Sequence, residues 1–230
     1  MKPDYEVRIS PRARRLRIQL DAEGRLLVVV PKGFDQRLLP GYLAQHQAWI
    51  ERTRARLKHQ QKQQPALYER LPAQIALPAL GEQWQVEYGV SQRHLWRETN
   101  GTLRLRANES EAVQRSLGDW LNHQAKQYLP ERLQLVAQRT GLRYADVRVR
   151  AQKTRWGSCS SKKNINLNRN LLFLPLTWVD YLCLHELCHT RVMNHSADFW
   201  RLVATYEPDF QRLERSLTRA VQQVPLWARP

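Results

Sequence analysis

Between Trp178 and Val192 most residues are apolar, and set among them is His185-Glu186-Leu187-Cys188-His189. Apolar residues at Trp178, Val179, Tyr181, Leu182, Leu184 and Leu187 predict a helix buried on most of its surface. On a helix, residues four apart lie about 40° from each other and one turn along the axis. The imidazoles of His185 and His189 therefore face one point and can share a cation. Glu186 projects beside them, near enough to take a proton from a water at that point without becoming a ligand. The competing reading is a structural helix that happens to carry two histidines.

Residues downstream weigh against that reading. His195 follows in Asn194-His195-Ser196, and a catalytic zinc takes three protein ligands and leaves its fourth position to water. His195 is thus the expected third ligand. In patterns of the form HExxHxxGxxH a glycine lets the helix end; here Val192 stands in its place. The turn is expected at Asn194, which tolerates left-handed backbone, with Ser196 capping a new helix whose Phe199 and Trp200 pack inward. Three neutral imidazoles favour one Zn²⁺, although iron, cobalt, nickel and manganese accept the same ligand type. Asn194, Asp198 and Asn168 are candidates to hold the histidine N–H groups. His46, His59, His94 and His123 are scattered through other elements and read as ordinary. Cys183 falls on the far helix face from His185, and Cys188 is poorly placed for the same ion.

Upstream, Arg155-Trp156-Gly157-Ser158-Cys159 and Asn164-Ile-Asn-Leu-Asn168 both look like strands. A sheet edge beside a metal site can pair with an extended peptide and hold its carbonyl in place. Arg155, Asn166 and Asn168 are then candidates for substrate or transition-state contacts, Arg155 as an oxyanion or phosphate grip. Arg155 as a structural residue beside a core Trp156 is the equal alternative. Cys159 has no sequence neighbour that would make it a nucleophile.

The rest of the chain reads as α+β. Alternation from Tyr5 to Pro31, with Asp21-Ala-Glu-Gly24 between two runs, predicts a small antiparallel hairpin. Leu38, Leu39, Tyr42, Leu43, Trp49, Ile50 and Leu57 predict a helix that grades into Gln60-Gln-Lys-Gln-Gln64 before Pro65. Strands are expected at 83–88, 94–98 and 102–106, the last two joined by Asn100-Gly101. From Ser110 to Thr140 the period is helical, with Pro130 expected to kink the helix or open a second one. Three short strands come next, then helices. The expected division is 1–108, an N-terminal antiparallel β-rich region with one long helix, and 109–230, a catalytic domain.

Composition sets outer limits. The 230 residues are 42% hydrophobic and hold 9 Gly and 12 Pro, enough to bury a core and unlike a disordered or fibrous chain. No apolar run nears the roughly 20 residues of a membrane-spanning helix, and Met1-Lys2-Pro3-Asp4-Tyr5 lacks an apolar signal core, so a cytoplasmic protein with no membrane partner is expected. Three cysteines make no disulfide framework. The formal charge is +16, and 29 of the 37 basic residues are Arg. Nine Arg and Lys against Asp146 alone lie between Arg139 and Arg169, a surface for nucleotide, nucleic acid or acidic peptide, or simply a solvated face.

Together, Arg155-Trp-Gly-Ser-Cys159, Asn166-Leu-Asn168, His185-Glu-Leu-Cys-His189, Asn194-His195-Ser196 and Phe199-Trp200 resemble the YgjP-like metallopeptidase family, relatives of SprT-like and minigluzincin proteins. Arg12-Ala-Arg-Arg-Leu16 and Val28-Val-Val-Pro31 are similar to that family too. The resemblance implies zinc on His185, His189 and His195, with Glu186 as catalytic base. It implies a zincin-like core: a backing helix near 110–140, a short mixed sheet, the HExxH helix under its last strand, and C-terminal helices.

Three functions are open at this point. The first is a zinc metallopeptidase acting on a peptide or protein. The second is a nucleotide pyrophosphatase on UTP using the same metal, an assignment also attached to the family; the lack of an Asp/Glu cluster for Mg²⁺ weighs against it. The third is a nucleic-acid-associated protease of the SprT-like kind, with Arg12, Arg14, Arg15 and Arg17 as a contact surface or a cover over the cleft. Oligomeric state is not legible.

Overall fold

The alternating N-terminal stretch forms three strands, β1 (Tyr5–Ser10), β2 (Arg17–Leu20) and β3 (Leu26–Pro31). The computed structural model describes residues 5–21, 24–63, 65, 71–90, 96–106 and 110–229. Strands β2 and β3 make the expected antiparallel pair, Leu20 opposite Leu26, although Ala22 and Glu23 of its turn lie outside the described residues. The N-terminal sheet is mixed, however, not antiparallel throughout: β1 pairs with β3 in parallel, Tyr5 opposite Leu26, giving the order β1-β3-β2. The most apolar strand takes the centre, where Val28 and Val30 are fully buried.

The helical stretch after β3 is two helices, α1 (Leu39–Gln45) and α2 (Gln47–Gln63), parted at His46, whose φ of −104° and ψ of 5° leave the helical region. Leu39, Leu43 and Ile50 close a small core with Leu26, Val28 and Val30.

Residues Gln74–Leu77 (β4), Glu82–Glu87 (β5), Trp96–Thr99 (β6) and Thr102–Leu105 (β7) form a sheet in the order β4-β5-β7-β6. It is also mixed, since β5 and β7 run parallel. The turn between β6 and β7 uses Asn100 and Gly101 at φ 48° and 75°, the pair of positive values that a two-residue hairpin needs. Part of the strand expected at 94–98, including His94, lies outside the described residues.

Ile75, Leu77, Leu103 and Leu105 share one core with Val113, Leu117, Trp120 and Leu121 of α3 (Ser110–Thr140). This shared core joins the sheet to α3, and the compact units are Met1–Tyr68 and Glu69–Pro230; the change of period near 108 falls inside the second. Helix α3 runs unbroken through Pro130. Buried Ala125, Leu129, Leu133 and Val136 continue its apolar stripe on both sides of that residue, and their burial offsets the lost backbone bond.

The last sheet comprises β8 (Asp146–Arg150), β9 (Gly157–Cys159) and β10 (Asn164–Asn168) in the order β8-β10-β9, parallel to one side and antiparallel to the other. Ile165 and Leu167 of β10 point into the core. Helix α4 (Leu176–Cys188) packs on α3, pinned by the Arg132–Asp180 ion pair, and α5 (Ala197–Tyr206) and α6 (Phe210–Arg219) complete the unit. The architecture is α+β. Among the described residues no helix is long and apolar enough to cross a membrane.

Candidate metal centre

Helix α4 is held by burial: Val179, Leu182, Leu184 and Leu187 carry its packing. It ends where the candidate site begins. His189 is its C-cap, the Thr190 hydroxyl donates to the Leu187 carbonyl at 2.7 Å, and the amides of Arg191 and Val192 both donate to the Cys188 carbonyl. These tight bonds reverse the chain without a left-handed residue. Among the described residues the non-glycine positive φ values are at Asn100 and Lys163, so the chain bends at Asn194 as expected but without the left-handed geometry expected there. Ser196 takes the N-cap position of α5 but makes no side-chain cap bond.

That reversal carries His195 back over α4. One nitrogen from each of His185, His189 and His195 lies within 4.8 Å of the others, and His185 Nε2 and His195 Nε2 are 3.1 Å apart. Two aromatic residues of α5 set the ring planes. Phe199 stacks on His189 at 4.4 Å and 22°, and Trp200 stacks on His195 at 5.6 Å and 28°. His189 Nδ1 is 3.1 Å from the Val192 carbonyl; donating its proton there leaves Nε2 with a lone pair turned to the cluster. Burial, then the neighbouring His189 and His195, push His185 down to about 3. Burial also lowers His189, against the Val192 carbonyl, which raises it. Three imidazole nitrogens converging on one point are a donor set that fits Zn²⁺.

Glu186 lies beside the cluster, 4% exposed. Desolvation lifts its carboxyl to about 8, with the charge of Arg155 lowering it and Glu214 raising it. Its Oε2 is buried with no hydrogen-bond partner among the described residues. Strand β9 passes directly over it: a Cβ built on Gly157 would stand 2.6 Å from Oε1. Arg155, Gly157, Ser158 and Cys159 wall one side of a cleft of about 330 Å³ whose opposite side is His185, His189 and His195.

The other expected residues divide. Arg155 is at the cleft and exposed. Asn166 donates to the Ser158 hydroxyl at 3.2 Å, across the β10–β9 pair, and so braces the strand that walls the cleft. Asn168 is not at the cleft. It is buried, donates to the carbonyls of Gln152 and Arg155 at 2.8 Å and accepts from the Asn170 amide, so its amide group is used in holding the loop that presents Arg155. Asp198 pairs with Arg201, exposed to solvent, and Asn194 makes no hydrogen bond among the described residues; neither holds a histidine. Cys183 and Cys188 are buried, and burial lifts the Cys159 thiol to about 11.

Three contributors escaped the sequence reading. The Val192 carbonyl is a backbone group and leaves no residue-type signal. Glu214 of α6 lies 3.9 Å from His185 Nδ1 and accepts the Tyr181 hydroxyl at 2.7 Å; no spacing rule links it to the motif. Gly157 did carry a signal that could have found it, a glycine inside a strand, which marks close backbone approach.

The chain is also similar to known proteins. The protein-family model described as YgjP-like, metallopeptidase domain, matches residues 14–220. Two solved structures are similar over part of the chain. The metallopeptidase zymogen of Pyrococcus abyssi abylysin is 25% identical, covering 43% of this chain and 99% of that one at a TM-score of 0.38. The metallopeptidase zymogen of Methanocaldococcus jannaschii jannalysin is 17% identical, covering 40% and 96%, at a TM-score of 0.36. No curated protein matches the chain.

Proposed function

The chain belongs to the YgjP-like metallopeptidase-domain family, and on that premise we propose that it is a zinc-dependent peptidase of the HExxH type, with a zincin-like core built on α3, the β8–β10 sheet and α4. His185, His189 and His195 would hold one Zn²⁺ through their Nε2 atoms. The observation that carries the reading is the convergence of three imidazole nitrogens within 4.8 Å beside a buried carboxylate oxygen left without a hydrogen-bond partner among the described residues.

Zinc, when bound, lowers the pKa of a coordinated water to about 7 and polarises a substrate carbonyl. This chain's residues do the rest. Glu186 takes the proton of the attacking water as the oxygen–carbon bond forms, and returns it to the leaving nitrogen as the C–N bond breaks. Strand β9 is an edge of its sheet, so its free side can pair with an extended peptide and lay the scissile bond along the cleft. Arg155 stands at the rim, where its guanidinium can steady the developing oxyanion.

The test is metal content followed by peptide hydrolysis. The purified protein should carry about one zinc per chain and cleave unstructured peptides, and Glu186→Gln should keep the metal while losing about 10²-fold or more in kcat. A parent without bound metal, or a Gln variant as active as the parent, overturns the reading. Zinc- and Glu186-dependent release of pyrophosphate from UTP, with peptides untouched, would reassign the substrate. The metal donors weigh against that reading: among the described residues the metal-ligating cluster is three histidines with no carboxylate, whereas nucleotide anhydride chemistry draws on Mg²⁺ held by carboxylates.

A further inference from the structure

The N-terminal unit Met1–Tyr68 has its own cleft of about 630 Å³, between β2 and the helical layer. Leu16, Ile18 and Phe34 form its half-buried floor. Tyr42 and Trp49 form the helical wall, each 41% exposed, with the Phe34 ring 6.1 Å from that of Tyr42. Packing among the described residues does not explain this wall. The inward face of the two helices is supplied by Leu39, Leu43 and Ile50, which already cover β3, while Tyr42, His46 and Trp49 recur at four and three residues on a face that stays exposed among the described residues.

Across the cleft Arg14 and Arg15 are exposed and make no ion pair among the described residues. The unit holds fourteen Lys and Arg against six Asp and Glu, so the cleft sits in a positive field. Flat ring faces on one wall and guanidinium forks on the other match a ligand that offers planar groups and phosphates side by side. We propose that this groove binds single-stranded nucleic acid, bases stacking on Tyr42 and Trp49 and phosphates meeting Arg14 and Arg15. An acidic peptide would answer the charge but not the exposed rings, and a duplex keeps its base faces covered. The proposal is independent of the metal centre.

The experiment is fluorescence polarisation of a fluorescein-labelled twelve-residue oligothymidylate with the full-length chain across a salt series. Expected are saturable binding at low salt and a linear fall of log affinity with log salt. Trp49→Ala and Tyr42→Ala should each weaken binding about tenfold with unchanged circular dichroism, and Trp49→Phe, which keeps a ring, should retain most of the affinity. Arg14→Gln with Arg15→Gln should lower the salt slope by about 1.4. Absence of binding at low salt overturns the proposal. So does affinity unchanged in both ring variants, which would place the contact elsewhere, such as the basic stretch 139–169. Displacement by poly-glutamate as effective as by unlabelled oligonucleotide would also overturn it, in favour of an acidic-peptide groove.

Discussion

Gly157 and Glu186 are in contact across the β9–α4 boundary so closely that a Cβ on the glycine would meet Oε1 at 2.6 Å and both Cγ and Cδ at 2.9 Å. The strand lies flat on the carboxylate, fixing its rotamer and keeping water from its back. By comparison, a Cβ on Gly118 would come no nearer than 3.4 Å to the Arg169 guanidinium.

Gly157→Ala should therefore act through the position of Glu186. The added methyl displaces the carboxylate by a fraction of an ångström to an ångström, and a shift of that size costs about 10²-fold in rate. Zinc content should stay near the parent's, because the three atoms nearest the methyl all belong to Glu186 and none to His185, His189 or His195. Parallel kcat and metal measurements check this; loss of zinc together with activity would point to general unfolding of the site.

The histidine pattern was readable because its geometry is local: helix periodicity alone brings His185 to His189. The α+β class, the β6–β7 hairpin and the extent of α3 came from equally local signals. What the sequence withheld is non-local. Parallel pairing of β1 with β3 and of β5 with β7 depends on which strand takes the centre of a sheet, which alternation does not encode. The surroundings of the site were hidden for the same reason. Asn194 and Asp198 were plausible by proximity in sequence, yet His189 bonds to a main-chain carbonyl and Glu214 approaches His185 from a different helix.

Metal retention should distinguish these partners. Glu214→Ala removes the carboxylate facing His185 Nδ1 and frees the Tyr181 hydroxyl, so zinc affinity against a competing chelator should fall by about tenfold or more. Asp198→Ala, which breaks a solvent-exposed pair with Arg201, should leave that affinity within twofold. Equal losses in the two variants would show that the proximity of Glu214 has no bearing on the histidine.

Cysteine chemistry provides a control on the nucleophile. Cys159 lines the cleft, but burial and the neighbouring Glu186 raise its thiol to about 11, leaving little thiolate at neutral pH. Iodoacetamide at about pH 7.5 should label the native protein slowly, and Cys159→Ser should retain peptide hydrolysis within a few-fold. Cys183 and Cys188 are buried and should react only after unfolding, as mass spectrometry of labelled peptides can record.

The carboxyl of Glu186 should also leave a signature in the stability of the metal-free protein. Folding raises its pKa from 4.5 to about 8, mainly by desolvation. Below pH 4.5 the group is protonated in folded and unfolded chains alike. As pH rises from there, the unfolded chain ionises while the folded chain holds its proton, so stability drains until about pH 8 and changes no further. Glu186→Gln carries no such proton, and the lowered histidine pKa values are common to both chains. The Gln variant should therefore gain on the parent by at least about 1.4 kcal/mol between about pH 5 and 8, the worth of one pKa unit. Urea unfolding of both chains in the presence of chelator measures the difference; a gap that stays constant over this range would mean that Glu186 is ionised in the folded apo-protein and that its burial does not perturb it.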